Sequence, residues 1–410
     1  MTTDDQWIEQ IYQQHSRRVL ATLIRLLGDF TLAEEAMQEA FTSAVRQWRQ
    51  EGFPDNPSAW LIRAGHRRGI DHIRRSRTAQ HYSHLIDQPE ETGTSAIGQT
   101  FDDDQLRLLF TCCHPALPLD ARVALTLREM CGLTTEQVAS GLLQKPATLA
   151  QRIVRAKRKI RDAGIPYEVP EAKELPERLP GVLRVIYLVF NEGYSRSDGE
   201  QIVDVHLSAE AIRLAEALAR LLPEGEVLGL LALMLLQNSR RKARQDEEGN
   251  LITLEDQDRS LWDQASIDFG FQWLEAALAR TPTGLYTLQA SIAAVHAEAS
   301  KANETDWARI VRLYNALYQQ QPSPVIALNR AVAIAMRDTP ADGLQLLEEL
   351  MSHKAFAGYH LFHAARADLQ RRAGNLEEAR QSYERALGLV SQGPERRFLE
   401  RRLTELEKFS

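Results

Sequence analysis

The chain is predicted to fold as an all-α protein, with a small helical domain, a helix-turn-helix domain and a C-terminal helical array. Three observations predict this class. Apolar residues recur at the helical period through most of the 410 residues. Only the segment Ala243 to Leu254 reads as a short hairpin or loop. Toward the C-terminus the sequence repeats, with Ile310, Leu344 and Ala379 spaced by 34 and 35 positions. Hydrophobic residues make up 44% and charged residues 26%, which leaves enough apolar material for several cores. At roughly 150 residues per domain, the length suggests two or three domains.

The elements follow in order. Leu20, Leu23, Ile24 and Leu27 form the first apolar stripe. Thr31 and Glu34 have capping-box spacing, in which hydroxyl and carboxylate each accept a free amide hydrogen at a helix start. The helix that follows should turn Ala33, Met37, Ala40, Phe41, Ala44 and Trp48 inward and Glu35, Gln38 and Glu39 outward. Gly52, Pro54 and Pro57 break it before a third helix from Ser58 to Arg77, with Ala64, Ile70 and Ile73 inward. Residues 78–105 are polar and end in Asp102-Asp103-Asp104, so they read as an acidic linker. In the next unit, Thr134 and Gln137 make a second capping box, opening a short helix from Glu136 to Ser140. Leu142 to Lys145 turn, and Pro146 suits the first position of the following helix. There Leu149, Ile153, Ala156 and Ile160 fall within about 60° of one another and point inward. Thr148, Gln151, Arg152, Arg155 and Lys159 face the other way, which makes a helix-turn-helix with a basic recognition helix.

Pro166, Pro170, Pro176 and Pro180 mark the exit from this unit. A long helical region follows, interrupted by the segment 243–254, which turns at Gly249-Asn250. The repeat aligns Tyr314 with Tyr383 and Leu317 with Ala386, and Pro322 closes its first copy. Period and residue types match tetratricopeptide helix pairs, which stack to present a concave surface for a protein or ligand. The predicted division is therefore 1–77, a linker over 78–105, 106–165, a central helical domain over 170–285, and repeats over 286–410.

Charge separates the regions. Residues 1–165 carry 21 Lys and Arg against 20 Asp and Glu, a net of +1, and the remainder carries 28 against 36, a net of -8. Arg63 to Arg77 holds six arginines and one acid, and Lys145 to Arg161 holds seven basic residues and none. Two local basic stretches on an acidic chain point to directed contacts with a polyanion. Arg63, Arg67, Arg74 and Arg75 are available to phosphates, and Trp60 at the helix start can stack an unpaired base. The polar start and the shortness of the longest apolar run, Val227 to Leu236, predict no signal peptide, no membrane span and a cytoplasmic protein. Cys112, Cys113 and Cys131 lack the spacing of a chelating pair and read as buried structural thiols. No nucleophile, general-acid pair or phosphate-binding glycine loop is visible, so no catalytic residue, cofactor or metal is assigned.

Four segments carry a resemblance: Thr31-Leu32-Ala33-Glu34-Glu35-Ala36-Met37-Gln38-Glu39-Ala40-Phe41, then Trp48, then Pro54-x-x-Pro57-x-x-Trp60-Leu61, then Ile70-Asp71-x-x-Arg74-Arg75. Together they resemble domain 2 of a sigma-70 family RNA polymerase sigma factor of the extracytoplasmic-function (ECF) class, and residues 106–161 are similar to its domain 4. The remainder resembles a subgroup with a long tetratricopeptide-like extension, through Phe110-Thr111-Cys112-Cys113-His114-Pro115, Asn191-Glu192-Gly193-Tyr194 and Leu254-Glu255-Asp256-Gln257-Asp258-Arg259-Ser260. The resemblance implies that Glu35, Gln38, Glu39 and Phe41 dock on core RNA polymerase. It implies that Trp60, Arg63, Arg67, Arg74 and Arg75 serve the -10 element of promoter DNA. Lys145, Thr148, Gln151, Arg152, Arg155 and Lys159 would then serve the -35 element. The class usually has asparagine where this chain has Arg67. The acidic linker is expected to thread the polymerase, with Asp102 to Asp104 mimicking nucleic-acid charge. The implied role is promoter recognition, not bond chemistry, with the extension as regulator. The competing readings are a helix-turn-helix activator with a repeat-built sensor, and an enzyme in the central region drawing on Asn191 to Tyr194 and the acids of 255–258.

Overall fold

The structure, a computed structural model, describes residues 3–75, 97–142, 144–171, 173–194 and 205–407. Among the described residues it contains 18 α-helices and no strand. It divides into two compact units, Met1–Val185 and Ile186–Ser410. Residues 76–96, most of the predicted linker, lie outside the described residues, as does the segment 195–204.

The first unit opens with α1 (Thr3–Leu27), α2 (Phe30–Glu51) and α3 (Pro57–Arg75). The predicted stripes on α1 and α2 are buried, from Leu20 through Leu27 and from Ala33 through Trp48. Each such leucine or isoleucine contributes about 1.5–3 kcal/mol by leaving water. On α3 the buried stripe is Ser58, Leu61, Gly65, Gly69 and Ile73, while Ala64 and Ile70 are only half-buried. The two glycines explain the shift. A Cβ at Gly69 would stand 2.6 Å from Leu27 Cδ1, and one at Gly65 2.8 Å from Leu23 Cδ1, so α3 lies on α1 through bare backbone. The start of α2 also departs from expectation. Asp29, not Thr31, is the N-cap and accepts from the Leu32 amide at 2.9 Å.

The predicted linker is helical from residue 97, because α4 spans Ile97–Cys112. Asp104, expected on an exposed acidic tract, is buried instead. Its carboxylate accepts from Thr22 Oγ1 at 2.8 Å and pairs with Arg25 Nε at 2.7 Å and Arg107 at 2.8 Å. Next come α5 (Leu119–Leu125), which runs on into a π-helical turn over Thr126–Met130, then α6 (Thr135–Gly141) and α7 (Pro146–Asp162). The Thr134–Gln137 capping box forms, at 2.8 and 3.2 Å, and Pro146 opens α7. Leu149, Ile153, Ala156 and Ile160 are buried as expected. Two of the four exit prolines are not breaks: α8 (Leu175–Tyr194) contains Pro176 and Pro180. Pro176 falls in its first turn, where no amide partner is lost.

The second unit centres on α10 (Gly225–Ser239), apolar on nearly every side, which follows α9 (Val205–Leu221) and packs against α11 (Gln264–Leu278) and α12 (Leu285–Glu298). Glu226 of α10 holds the start of α12 by accepting from the Tyr286 and Thr287 amides at 2.8 and 3.1 Å. The segment after α10 turns at Gly249, whose φ of 78° favours glycine. Its one antiparallel bridge, Gln245 to Leu251, is too short to make a strand. Three pairs of contacting helices follow: α13 (Trp307–Gln320) with α14 (Pro324–Arg337), α15 (Pro340–Leu350) with α16 (His360–Arg372), and α17 (Leu376–Leu387) with α18 (Gly393–Glu407). Ile310 and Ala379 are buried and Leu344 half-buried at matching positions of each leading helix. The last helix returns to the segment after α10, where Arg397 Nε donates to Asn250 Oδ1 at 3.0 Å and its Nη2 to the Gly249 carbonyl at 3.2 Å.

Candidate nucleic-acid and polymerase interface

On α2, Glu35, Gln38 and Glu39 are exposed along one face. Phe41 does not join them. It is buried, its ring 5.0 Å from that of Tyr12, so any part it takes in docking is to set the helix. On α3, Trp60, Arg63, Arg67 and Arg74 fall within about 60° of one another by helical geometry, with Arg75 to one side. The four arginines are exposed, and Trp60 is half-buried, edge-on to Trp48 at 5.2 Å. Arg63 turns its Nε to the Ala59 carbonyl at 3.3 Å, and Arg68 of the same helix reaches Glu39 at 3.7 Å.

On α7, Lys145 sits at the N-cap position, and Thr148, Gln151, Arg155 and Lys159 are exposed. Arg152 differs from the rest. It donates to Gln144 at 2.6 Å and pairs with Asp120 at 3.1 Å, which fixes the turn before the helix and leaves fewer donors for DNA. Val154, 64% exposed beside this face, was not anticipated, because an apolar residue off the inward stripe gives no periodic signal.

The side of α7 away from the basic face is tied to α2. Lys157 places its ammonium 2.7 Å from Glu34 and 2.9 Å from Glu129, and 5.5 Å from the centre of the Phe30 ring. Arg161 reaches Asp29 at 3.5 Å, and Phe30 meets Tyr167 at 5.6 Å. Burial pushes the Glu129 carboxyl above its ordinary range, only partly offset by Lys157. Burial also pulls the Lys157 ammonium down, but Glu129 and Glu34 together more than reverse that, so it ends above its usual value. Glu34, expected to cap α2, serves this network instead. In the sequence Lys157 reads as one more basic residue of its helix, because its partner Glu34 lies 123 positions away.

The three cysteines are free and buried. Burial raises the Cys113 thiol to about 12, and Cys112 is raised as well. Among the described residues no group of three or more His, Cys, Asp or Glu could hold a metal ion, and no helix is long and apolar enough to cross a membrane.

A capped helix-turn-helix with an open basic face, joined to a helical body with a second basic helix, defines a class of multi-helix DNA-binding protein. Comparison with known families narrows it. Residues 11–78 match sigma-70 region 2, residues 107–160 match sigma-70 region 4, and residues 178–278 match a family of unknown function, DUF6596. An uncharacterized protein of Rhizobium meliloti is 42% identical over 98% of this chain and 97% of its own length. A probable ECF RNA polymerase sigma factor, SigI, of Mycobacterium tuberculosis is 26% identical over 48% of this chain and 66% of its own. The ECF RNA polymerase sigma factor SigK of a Mycobacterium species is 27% identical over 35% of this chain and 75% of its own. No solved structure matches. The chain belongs to the ECF class of the sigma-70 family and carries a C-terminal helical extension.

Proposed function

We propose that this protein binds core RNA polymerase, directs it to a two-element promoter, and is regulated by its own helical extension. A sigma-factor role follows from the two regions and the relatives; the assignments to single residues and to the extension are our reading. In it, residues 1–77 and 106–165 act as the two promoter-reading domains and residues 286–410 as a tetratricopeptide-like array open to a protein or ligand. Glu35, Gln38 and Glu39 dock on the polymerase. Trp60, Arg63, Arg67, Arg74 and Arg75 engage the -10 element, and Lys145, Thr148, Gln151, Arg155 and Lys159 the -35 groove, with Arg152 orienting the turn. Arginine offers two parallel donors to guanine O6 and N7, and Val154 suits a thymine methyl.

The observation that carries this reading is the orientation of α7. Its inward edge is fixed by Lys157, while Thr148, Gln151, Arg155 and Lys159 stay exposed. Glu34 lies at the start of the helix assigned to polymerase docking, so docking there and release of α7 are coupled. Opening DNA costs about 1.4 kcal/mol per base-pair step, which captured bases and polymerase contacts must offset. The role is binding, not catalysis. Transcription from a randomised promoter library with core polymerase tests it: start-site-specific transcripts are expected, and their absence on every template overturns the reading. Ending the chain at residue 169 tests the extension, and unchanged promoter output would remove its regulatory role.

A further inference from the structure

Side chains of α2 and α7 tie the two promoter-reading domains of the first unit together. Lys157 of α7 reaches Glu34 of α2 at 2.7 Å, Arg161 reaches Asp29 at 3.5 Å, and the Tyr167 and Phe30 rings meet at 5.6 Å. Asp104 of α4 adds a second tie, accepting from Thr22 and pairing with Arg25, both on α1. The basic helix α3 lies close by. A Cβ added at Gly65 would stand 3.3 Å from the carbonyl oxygen of Ala36, two positions after Glu34. Residues two apart point to nearly opposite sides of a helix, so α3 and α7 flank α2 near one level. At about 10–12 Å per helix diameter, their axes lie within about 25 Å of each other.

That spacing does not fit a promoter read at two elements. Positions -10 and -35 lie about 25 base pairs apart, which at about 3.4 Å each is about 85 Å of duplex. A smooth bend of about 90°, costing about 1–6 kcal/mol, still leaves about 75 Å between them. With α7 held at α2, the two basic helices can engage only one element at a time.

Both buried charges in these ties have a second partner that does not depend on α1 or α2. Lys157 has Glu129 at 2.9 Å, in the π-helical turn after α5. Asp104 has Arg107 at 2.8 Å, one turn along α4. If α1 and α2 withdraw, the ammonium keeps a carboxylate and the carboxylate keeps a guanidinium. Loss of a sole partner would strand a buried charge at about 3–5 kcal/mol, and the duplication avoids it. Glu34 also adjoins the docking face, one position before Glu35 and one turn before Gln38.

We propose that this contact is an autoinhibitory latch: the free chain holds its -35 helix against its polymerase-docking helix, and docking on core polymerase opens it. The latch rests on the sigma-factor reading and needs no part of the C-terminal extension.

The test is carbodiimide cross-linking of the full chain, which joins an amine to a carboxylate only where the two touch. The free chain should yield an amide between Lys157 and Glu34, read by peptide mass spectrometry. The exposed pair Lys173–Glu171, 2.8 Å apart, serves as reference. In complex with core polymerase, isolated by gel filtration, the Lys157–Glu34 yield should fall at least fivefold with the reference unchanged. A chain that enters the complex with its link intact overturns the latch alone. A chain that never enters it overturns the sigma-factor reading and the latch together. Absence of the link in the free chain also ends the proposal. Tyr167→Ala, outside the docking and DNA-reading residues, should lower the free-chain yield and bind core polymerase at least threefold tighter, because more of it is already open. Unchanged or weaker binding would make the contact a fixed part of the fold and end the proposal.

Discussion

The two units bury charge in opposite ways. In the first, the two deeply buried acids among the described residues have partners: Asp104 has Thr22, Arg25 and Arg107, and Glu129 shares Lys157 with Glu34. In the second, Arg244 and Arg259 are held by carbonyl oxygens and ring faces, with no carboxylate in ion-pair range among the described residues. A closed set of pairs is costly to break and needs nothing from outside, so in the free chain it fixes one arrangement of α1, α2, α4 and α7. An arginine held by carbonyl oxygens and ring faces has no such fixed partner. The contrast separates charge held by opposite charge from charge held by neutral groups.

The contrast can be broken most forcefully at Asp104. Asp104→Ala leaves two arginines without their shared carboxylate, and a loss of about 3–5 kcal/mol is expected. Denaturant unfolding followed by circular dichroism measures it, and a loss below 1 kcal/mol would mean the network is not closed. The second unit should reveal itself through acid. Unfolded, His296 takes a proton near 6.5; folded, it does so only near 4. The unfolded chain therefore binds more protons between those values, and stability should fall by about 3 kcal/mol as pH drops through that window. His296→Asn should remove that slope in calorimetric melts. Next, Arg155→Ala should weaken promoter binding by about 1–3 kcal/mol with relaxed preference at one base, whereas Lys159→Ala should weaken all sequences alike and lower the salt slope by about one. Fluorescence anisotropy across salt concentrations distinguishes them. The smallest effect belongs to Thr134→Ala, where loss of the cap should cost about 1 kcal/mol and leave both charge networks untouched.

Much of the first unit was legible because its signals are local. The stripes of α1, α2 and α7, the Thr134–Gln137 box and Pro146 depend on residues within one or two turns of each other. What escaped depends on partners far along the chain. Asp104 is buried because Thr22 and Arg25 lie opposite, and Lys157 turns inward because Glu34 is 123 positions away in sequence. Gly65 and Gly69 read as weak helix formers until Leu23 and Leu27 are seen filling the space a side chain would occupy. Phe41 carried the family's docking motif and the core stripe at once, and periodicity alone cannot say which use prevails. For the second unit the helical repeat was visible, but the bond from Arg244 to the Tyr194 carbonyl, 50 positions away in sequence, leaves no pattern in spacing.

The bonds from Arg397 to Asn250 and Gly249 join the final helix to a turn some 150 positions upstream. Shortening the chain from its end is therefore not a ruler that peels off one repeat at a time. Removing the last helix also unpins the segment that carries Arg244, so even the mildest trimming should act at a distance. Interior excisions that keep α18 in place are the cleaner dissection of this extension.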